Sequence, residues 1–327
     1  MNIAILGSGS WATALAKIAL CNQEHINWFI RRREVIDEFI ATGKNPTYLN
    51  NLKFDVSKIT FSADINKVIA ASDVLIMAIP SPYIKQSLNK IRRSLQKKII
   101  INAVKGMIPD ENMLVTDYLH QRYKVPYEHL GVIAGPCHAE EIALERLSYL
   151  TIGCEDRATG QEISKLFDTD FVRATPSTDV IGLEYSSVMK NIYAIAAGIC
   201  EGLRYGDNFQ AVLITNAVLE MEQFISAVSP AHRNVVASGY LGDVLVTSYS
   251  KFSRNRLFGQ MIGQGYSVKA AQMEMQMVAE GFYGTEAIYL ANQRFHVAIP
   301  IVDAMYKILY KHKSPKMVIQ ELTSKLH

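Results

Sequence analysis

The chain of 327 residues carries 34 basic and 31 acidic side chains, a formal net charge of +3, and 49% of its residues are hydrophobic. This balance argues against a nucleic-acid-binding protein and against a disordered chain, and the length suits two domains with a large interior. Four cysteines (Cys21, Cys137, Cys154 and Cys200) lie far apart, without the spacing of a metal site or a disulfide framework, as is typical of a reducing compartment.

The N-terminal apolar run ends at Lys17. It is therefore shorter than the roughly 18 apolar residues that a membrane span needs. We expect a soluble, cytoplasmic protein that acts on a small molecule, with no membrane span, no nucleic-acid partner and no metal.

In residues 1–180, short runs of β-branched residues alternate with amphipathic stretches of helical spacing. From Gly182 onward the pattern changes to long helical periods. Such alternation is typical of βαβ units and a mainly parallel, buried sheet. We predict an α/β domain over residues 1–180 and an all-α domain over residues 181–327. The eight predicted strands are NIAIL near residue 2, INWFI near 26, KITFS near 58, DVLIMAI near 73, KIIINAV near 98, LGVIAG near 130, YLTIGC near 149 and FVRAT near 171.

The first predicted strand runs into the sequence GSGSWA at residues 7–12, and a helix with apolar periodicity follows. This is the G-x-G-x-x-A form of the dinucleotide fingerprint in its strand–turn–helix context. Gly7 permits the tight turn, Gly9 lets the backbone approach a pyrophosphate, and Ala12 is small enough for the helix to pack on the strand. The alternative is a plain tight turn. The pattern favours a Rossmann-type nucleotide-binding domain, with the phosphates at the helix N-terminus.

The second predicted strand ends in Ile30, Arg31, Arg32 and Arg33, with no acid before Glu34. An acid at this point usually binds the ribose 2′-OH of NAD, whereas an arginine accommodates the 2′-phosphate of NADP. The pattern therefore favours NADP. The alternative is that the arginines are the solvated start of the next helix.

Two further turns follow predicted strands. Lys105 comes after the run IIINAV, at the strand end where open α/β sheets bind ligands, although an ordinary loop charge is the alternative. Gly135 and Pro136 precede a predicted helix that begins near Cys137, and its N-terminus is a candidate anion or cofactor contact. Cys137 and His138 are poor candidates for a nucleophile pair, and His138, Glu140 and Glu141 for a metal site. Neighbouring side chains rarely converge on one atom, and the His-to-His spacing of a zinc helix is missing.

In the helical half, Lys190 and Asn191 interrupt the apolar segment YSSVMKNIYAIAAGIC, residues 185–200. This segment predicts a buried helix, where an unpaired ammonium is costly. One interpretation is a lysine whose amine reaches water along its apolar stem. The other is an amine held in a cleft with a lowered pKa, able to exchange a proton near neutral pH. Glu201 lies about 16 Å further along the helix axis and cannot pair with Lys190.

The segment SGYLGDVLVTSYSKFSRNRLFG, residues 238–259, contains Asp243 and the run Ser253, Arg254, Asn255 and Arg256. Two guanidinium groups that flank an amide suit a phosphate, since the guanidinium forks can bind its oxygens in pairs. The alternative is a basic helix start on the surface.

Together these motifs resemble the bacterial NAD(P)-dependent glycerol-3-phosphate dehydrogenases, in family order from residue 5 to residue 281. The matching segments are GSGSWATALA, NPTYLNN, AIPSPYI, NAVKGM, GPCHAEEIA, VMKNIYAIAAGICEGLRYGDNFQAVLIT, GYLGDVLVTSYSKFSRNRLFG and VAEG. The resemblance implies reversible hydride transfer between a nicotinamide and carbon 2 of the glycerol 3-phosphate/dihydroxyacetone phosphate pair. It also implies a role in phospholipid synthesis, NADP(H) preferred with NAD(H) as a second cofactor, and a homodimer.

The resemblance implies roles for individual residues, with Lys190 as the proton acceptor that returns the proton in the reducing direction. The implied substrate-binding positions are Lys105, Gly135, Cys137, Lys190, Asn191, Asp243, Ser253, Arg254 and Asn255. The cofactor positions, from the fingerprint and the resemblance together, are Gly7, Gly9, Ser10, Trp11, Arg31, Arg32, Tyr48, Lys105, Ala139, Arg254, Val278 and Glu280.

Some positions depart from the family pattern. Cys137 stands where serine or threonine is common, and a thiol is a weak hydrogen-bonding group. Asn216 replaces a usual arginine, the 239–243 loop is divergent, and Ala12 replaces a glycine. The alternatives to this activity are a related NADP-dependent dehydrogenase of hydroxyacids or sugar phosphates, and a nucleotide-sensing protein without turnover.

Overall fold

The computed structural model describes residues 1–275 and 278–327. The chain forms two compact units. The first contains Met1–Val104 and Val115–Val180, and the second contains Lys105–Leu114 and Ile181–His327. The predicted boundary near residue 180 takes no account of the segment Lys105–Leu114, which packs with the helical unit although it follows a strand of the first.

The first unit is built on one eight-stranded sheet, and all its neighbouring strands are parallel except β6 and β7. The strand order is β3-β2-β1-β4-β5-β6-β7-β8. The predicted α/β class, the mainly parallel sheet and all eight strands are confirmed. The strands are β1 (Ile3–Leu6), β2 (Ile26–Phe29), β3 (Ile59–Ser62), β4 (Val74–Met77), β5 (Ile99–Asn102), β6 (Leu130–Ala134), β7 (Ser148–Cys154) and β8 (Val172–Ser177).

The central strands of this sheet are buried on both faces. Every residue of β1, β2 and β4 is buried, which is why these runs are continuously apolar rather than alternating. Chain order reverses between β1 and β4, and ligands of open α/β sheets bind at such a point.

The helices of the first unit are α1 (Ser10–Asn22), α2 (Arg33–Thr42), α3 (Ile65–Ala70), α4 (Ser81–Leu88), α5 (Val115–Tyr123), α6 (Ala139–Ala143) and α7 (Arg157–Phe167).

The second unit is helical and is organised around α8 (Val180–Gly202), which is buried along nearly its whole length. The buried helix predicted for residues 185–200 is therefore confirmed. A short π-helical turn, Ser238–Gly242, leads directly into α10. The other helices are α9 (Asp207–Val228), α10 (Asp243–Tyr249), α11 (Arg254–Gly263), α12 (Val268–Glu274), α13 (Glu280–Asn292), α14 (Pro300–Leu309) and α15 (Pro315–Thr323).

Glycines let two helices approach the backbone of α8 very closely. A Cβ on Gly198 of α8 would lie 2.0 Å from the carbonyl oxygen of Arg256, and one on Gly259 of α11 would lie 2.1 Å from that of Ile195. A Cβ on Gly281 of α13 would lie 2.4 Å from the carbonyl oxygen of Asn191. Larger residues would push α11 and α13 away, so these glycines set how near the first turns of both helices come to the middle of α8.

One helix among the described residues, α9, is long and apolar enough to cross a bilayer by length and composition alone. Core helices of soluble proteins pass the same test, and α9 buries Leu213, Ala217, Met221 and Phe224. This is weak evidence for a membrane span.

The contact between α8 and α11 gives a stability prediction. We expect Gly198→Ala to lower the free energy of unfolding by about 1–3 kcal/mol, because the added methyl group overlaps backbone, although alanine regains up to about 1 kcal/mol of helix propensity. Urea unfolding followed by circular dichroism measures the change.

The matched control is Gly206→Ala. A Cβ at Gly206 would meet no atom within 4 Å, and its φ of −81° suits alanine. Equal stabilities of the two variants would contradict a close contact between α8 and α11.

Candidate active site

The glycine turn after β1 can hold only glycine at its first position. Gly7 has a φ of +130°, and a Cβ there would lie 2.5 Å from the carbonyl oxygen of Ala78, which follows β4. The indole N–H of Trp28 donates to the Gly7 carbonyl at 2.7 Å and fixes the turn. By contrast, a Cβ on Gly9 would meet nothing within 4 Å. Open space therefore lies at Gly9, where a ligand can approach the backbone.

The first turn of α1 has no side-chain cap. Gly9 occupies the N-cap position, and the Thr13 hydroxyl donates to its carbonyl oxygen at 3.0 Å. The amides of Ser10 and Trp11 lie in that first turn, whose N–H groups and dipole suit phosphate oxygens. The residues present fit a dinucleotide pyrophosphate at this place.

Asn45 is a residue that the sequence analysis missed. Its side chain is fully buried, and its amide donates to the Ser8 carbonyl at 3.0 Å and to the Thr13 hydroxyl at 2.8 Å. Its oxygen accepts from the amides of Thr47 and Tyr48 at 3.0 and 3.1 Å. Asn45 thus ties the loop that carries the half-buried Tyr48 to the glycine turn. The available signal was an asparagine before a proline within the segment NPTYLNN.

The arginines after β2 divide into two kinds. Arg33 is the first residue of α2 and pairs with Asp37 at 3.1 Å. Arg31 and Arg32 are exposed, and within residues 1–275 and 278–327 neither side chain has a hydrogen-bond or ion-pair partner. A solvated helix start accounts for Arg33 and leaves Arg31 and Arg32 as cations available to a ligand.

The turn after β6 is built from main-chain contacts. Gly135 has a φ of +115°, and a Cβ there would lie 2.6 Å from the carbonyl oxygen of Tyr149 on β7. The Cys137 thiol donates to the same carbonyl oxygen at 3.0 Å. The following helix begins at Ala139, two residues later than predicted, and has only 5 residues. The thiol is therefore used to hold the turn against β7.

In the second unit, Lys190 of α8 forms an ion pair with Asp243, the first residue of α10. The two side chains are 3% and 0% exposed, so Lys190 does not reach water along its stem. Asp243 lies 53 residues further along the chain, at the start of α10. The sequence of α8 alone therefore does not identify it as the partner. The turn Ser238–Gly242 sets the start of α10, because the Ser186 hydroxyl donates to the Gly239 carbonyl at 3.2 Å.

Burial lowers the pKa of Lys190 from 10.5 to about 7, although the Asp243 carboxylate acts to raise it and the neighbouring Lys105 ammonium to lower it further. The amine can therefore take up and release a proton near neutral pH. A lowered pKa is the condition that the second interpretation of Lys190 requires, and its proton exchange stays a prediction.

A chain of amide hydrogen bonds runs beside this pair. Asn255 of α11 donates from its side chain to the Asn191 side-chain oxygen at 2.9 Å, and its own oxygen accepts from the Gly281 amide at 2.9 Å. Asn191 in turn donates to the main-chain carbonyls of Lys105 at 3.0 Å and Ser187 at 3.2 Å. The amides of α8, α11 and α13 and the start of the Lys105–Leu114 segment are thus linked.

The two arginines of the SRNR run have different environments. Arg256 forms an ion pair with Glu201 at 2.7 Å, and the Ser253 hydroxyl accepts from the Arg256 amide as the N-cap of α11. Arg254 is half-buried, and its guanidinium has no ion-pair or hydrogen-bond partner in the part of the chain that the structure describes. A single guanidinium, rather than two, is therefore available to an anion.

The remaining candidates lie at the start of α13 or away from this cluster. Val278 precedes α13 and Glu280 is its first residue. The side-chain amide of Asn216 on α9 donates to the His327 carbonyl oxygen at 2.8 Å, and its oxygen accepts from the His327 main-chain N–H at 3.2 Å. Across the described ranges, no three His, Cys, Asp or Glu side chains form a group that could hold a metal ion.

Comparison with known proteins agrees with this arrangement. The family models for the N-terminus and C-terminus of NAD-dependent glycerol-3-phosphate dehydrogenase match residues 2–160 and 179–320. A glycerol-3-phosphate dehydrogenase [NAD(P)+] from Salinibacter ruber is 33% identical, covering 99% of this chain and 95% of that protein. One from Staphylococcus carnosus is 34% identical over 94% of this chain and 93% of that protein.

A crystal structure of glycerol-3-phosphate dehydrogenase from Coxiella burnetii matches with a TM-score of 0.89 and 28% identity, covering 98% of both chains. The family models together span most of the chain, and the relatives match along nearly their full length. The chain therefore belongs to the NAD(P)-dependent glycerol-3-phosphate dehydrogenase family.

Proposed function

We propose that this enzyme reduces dihydroxyacetone phosphate to glycerol 3-phosphate, with Lys190 as the proton carrier and NADPH as the preferred reductant. The observation that carries the proposal is the buried ion pair of Lys190 and Asp243 beside Lys105. Burial and the second ammonium keep the proton of Lys190 labile, and Asp243 keeps the amine in place. A lysine held in this way is suited to general acid–base work.

The proton transfer follows from the charge states of this pair. In the reducing direction, the Lys190 ammonium donates its proton to the oxygen on carbon 2 as that carbon gains a hydride. In the oxidising direction, the neutral amine removes the proton from the hydroxyl group. The nicotinamide, when bound, supplies or accepts the hydride. The protein's own task is to orient the substrate and to hold or release one proton at Nζ.

Arg254 and Asn255 are the proposed phosphate ligands. Arg254 has a guanidinium without a protein partner among the described residues, and both residues lie in the first turn of α11. A guanidinium fork and a helix N-terminus both favour a phosphate dianion. Ser253 supports this site as the N-cap, and Gly135 and Cys137 are proposed to border the substrate through the turn that they form.

The preference for NADP rests on Arg31 and Arg32, because no carboxylate stands at the end of β2 to bind a ribose 2′-OH. Gly7, Gly9, Ser10, Trp11 and Tyr48 are proposed to hold the rest of the cofactor. The further proposed cofactor contacts are Lys105, Ala139, Arg254, Val278 and Glu280.

We also infer a cytoplasmic homodimer that supplies glycerol 3-phosphate for phospholipid synthesis. Exposed apolar residues on α9, such as Val212 at 40% and Leu219 at 46%, support association of two copies.

The role of Lys190 is tested by Lys190→Met. We expect kcat for NADPH oxidation with dihydroxyacetone phosphate to fall about 10²- to 10⁴-fold, because the general acid is removed. NADPH binding, followed by fluorescence, should change little.

The matched control is Lys98→Met, since Lys98 donates to the Ser72 carbonyl in the first unit, outside the candidate site. A Lys190→Met enzyme that keeps most of its kcat would remove the proton-transfer role.

The lowered pKa of Lys190 gives a pH prediction. Oxidation of glycerol 3-phosphate needs the neutral amine, so kcat/KM should rise with pH through the lowered pKa and level off well below the 10.5 of an ordinary lysine. Asp243→Asn removes the anion that raises this pKa, and the rise should then move to lower pH. A rise that stays in place or moves upward in Asp243→Asn would contradict the assignment.

Cofactor preference is tested with paired assays. We expect the native enzyme to show a higher kcat/KM with NADPH than with NADH, and Arg31→Ala combined with Arg32→Ala to reduce the NADPH value about tenfold or more with little effect on NADH. Arg33→Ala, which removes a cation already paired with Asp37, is the control. Equal or better use of NADH by the native enzyme rules out the NADP preference.

A further inference from the structure

The side chain of Asn191 is fully engaged by the protein itself. A primary amide has two N–H hydrogens and one acceptor oxygen. Nδ2 donates to the carbonyl oxygens of Lys105 and Ser187, and Oδ1 accepts from the amide of Asn255. The side chain is 4% exposed. A substrate atom that took the Asn191 hydrogen directed at Lys105 would therefore remove this donor from the Lys105 carbonyl oxygen, which is unfavourable.

The bond from Asn191 to Lys105 acts on the main chain. Lys105 is the first residue of the segment Lys105–Leu114, which leaves the sheet after β5 and packs with the helical unit. Because the Lys105 carbonyl group is held, the adjacent Cα, which carries the Lys105 side chain, is held as well. That side chain lies close enough to Lys190 for its charge to act on the amine.

The other bonds of Asn191 make this anchor rigid. Its oxygen is held by Asn255, whose own oxygen accepts from the Gly281 amide at the start of α13. Gly281 also packs closely against the Asn191 carbonyl, in the same turn of α8. The amide of Asn191 therefore has one orientation that satisfies all of its partners.

We propose that Asn191 is a positioning residue, which holds the Lys105–Leu114 segment on α8 so that the Lys105 ammonium stays beside Lys190, and that it does not bind the substrate itself. This replaces the substrate-binding role that family resemblance implies for Asn191. The effect on Lys190 rests on the proposed proton-carrier function, whereas the anchoring of the segment does not.

Hydrogen exchange of the free protein tests the anchoring without substrate or turnover. In Asn191→Asp, the side chain still accepts from Asn255 but has no hydrogen for the Lys105 carbonyl. In Asn191→Ala, both contacts are lost. We expect peptides from residues 105–114 to exchange about tenfold or more faster in both variants, with the amides of α14 unchanged as an internal reference.

The matched control is Gln210→Met. Gln210 is also a buried amide that donates to a carbonyl of α8, at 2.8 Å from the Ala197 oxygen, but it makes no contact with Lys105. Its loss should leave exchange at residues 105–114 at the native rate. Native exchange at residues 105–114 in both Asn191 variants would overturn the proposal.

Kinetics of Asn191→Ala then separate positioning from substrate binding. With Lys105 released, the rise of kcat/KM with pH for glycerol 3-phosphate oxidation should move to higher pH, toward an ordinary lysine, and kcat should fall. A direct ligand would instead show a higher KM for dihydroxyacetone phosphate with kcat and the pH profile unchanged, and that result rejects the positioning role. If Lys190 were not the proton carrier, the exchange result would stand and only the pH shift would be absent.

Discussion

The buried ion pair of Lys190 and Asp243 is the interaction on which the candidate site depends. An ammonium this deep in the protein is stable only with a carboxylate beside it, and removal of either partner leaves an uncompensated charge. At the residue next to Lys190, glycines at the contacts of α8 with α11 and α13 let Asn255 and Gly281 reach Asn191. The close packing of these helices therefore holds the turn of α8 that carries Lys190.

Local pattern was enough to predict the sheet and the glycine turn after β1. Each strand is a short apolar run of its own. The positions of Gly7 and Gly9 in the six-residue motif GSGSWA indicate their main-chain roles. The family resemblance likewise rests on contiguous motifs. These features are encoded over a few residues, so a single sequence reveals them.

Contacts between distant parts of the chain could not be predicted in this way. Asp243 pairs with Lys190 across 53 positions, and Asn191 bonds Lys105 across 86. Arg256 turned out to pair with Glu201, which leaves Arg254 as the candidate phosphate ligand. Nothing in the local sequence distinguishes these two arginines, because Glu201, the partner of Arg256, lies on α8, far from both in the chain.

The charge state of Lys190 is the central claim, and a direct titration of its side chain tests it best. In protein labelled with ¹⁵N at the lysine Nζ, the Lys190 resonance can be assigned by its absence in a Lys190→Met variant and followed with pH. The structure predicts a midpoint far below that of the surface lysines, because burial disfavours the charged amine. A midpoint at the ordinary lysine value of 10.5 would contradict the account.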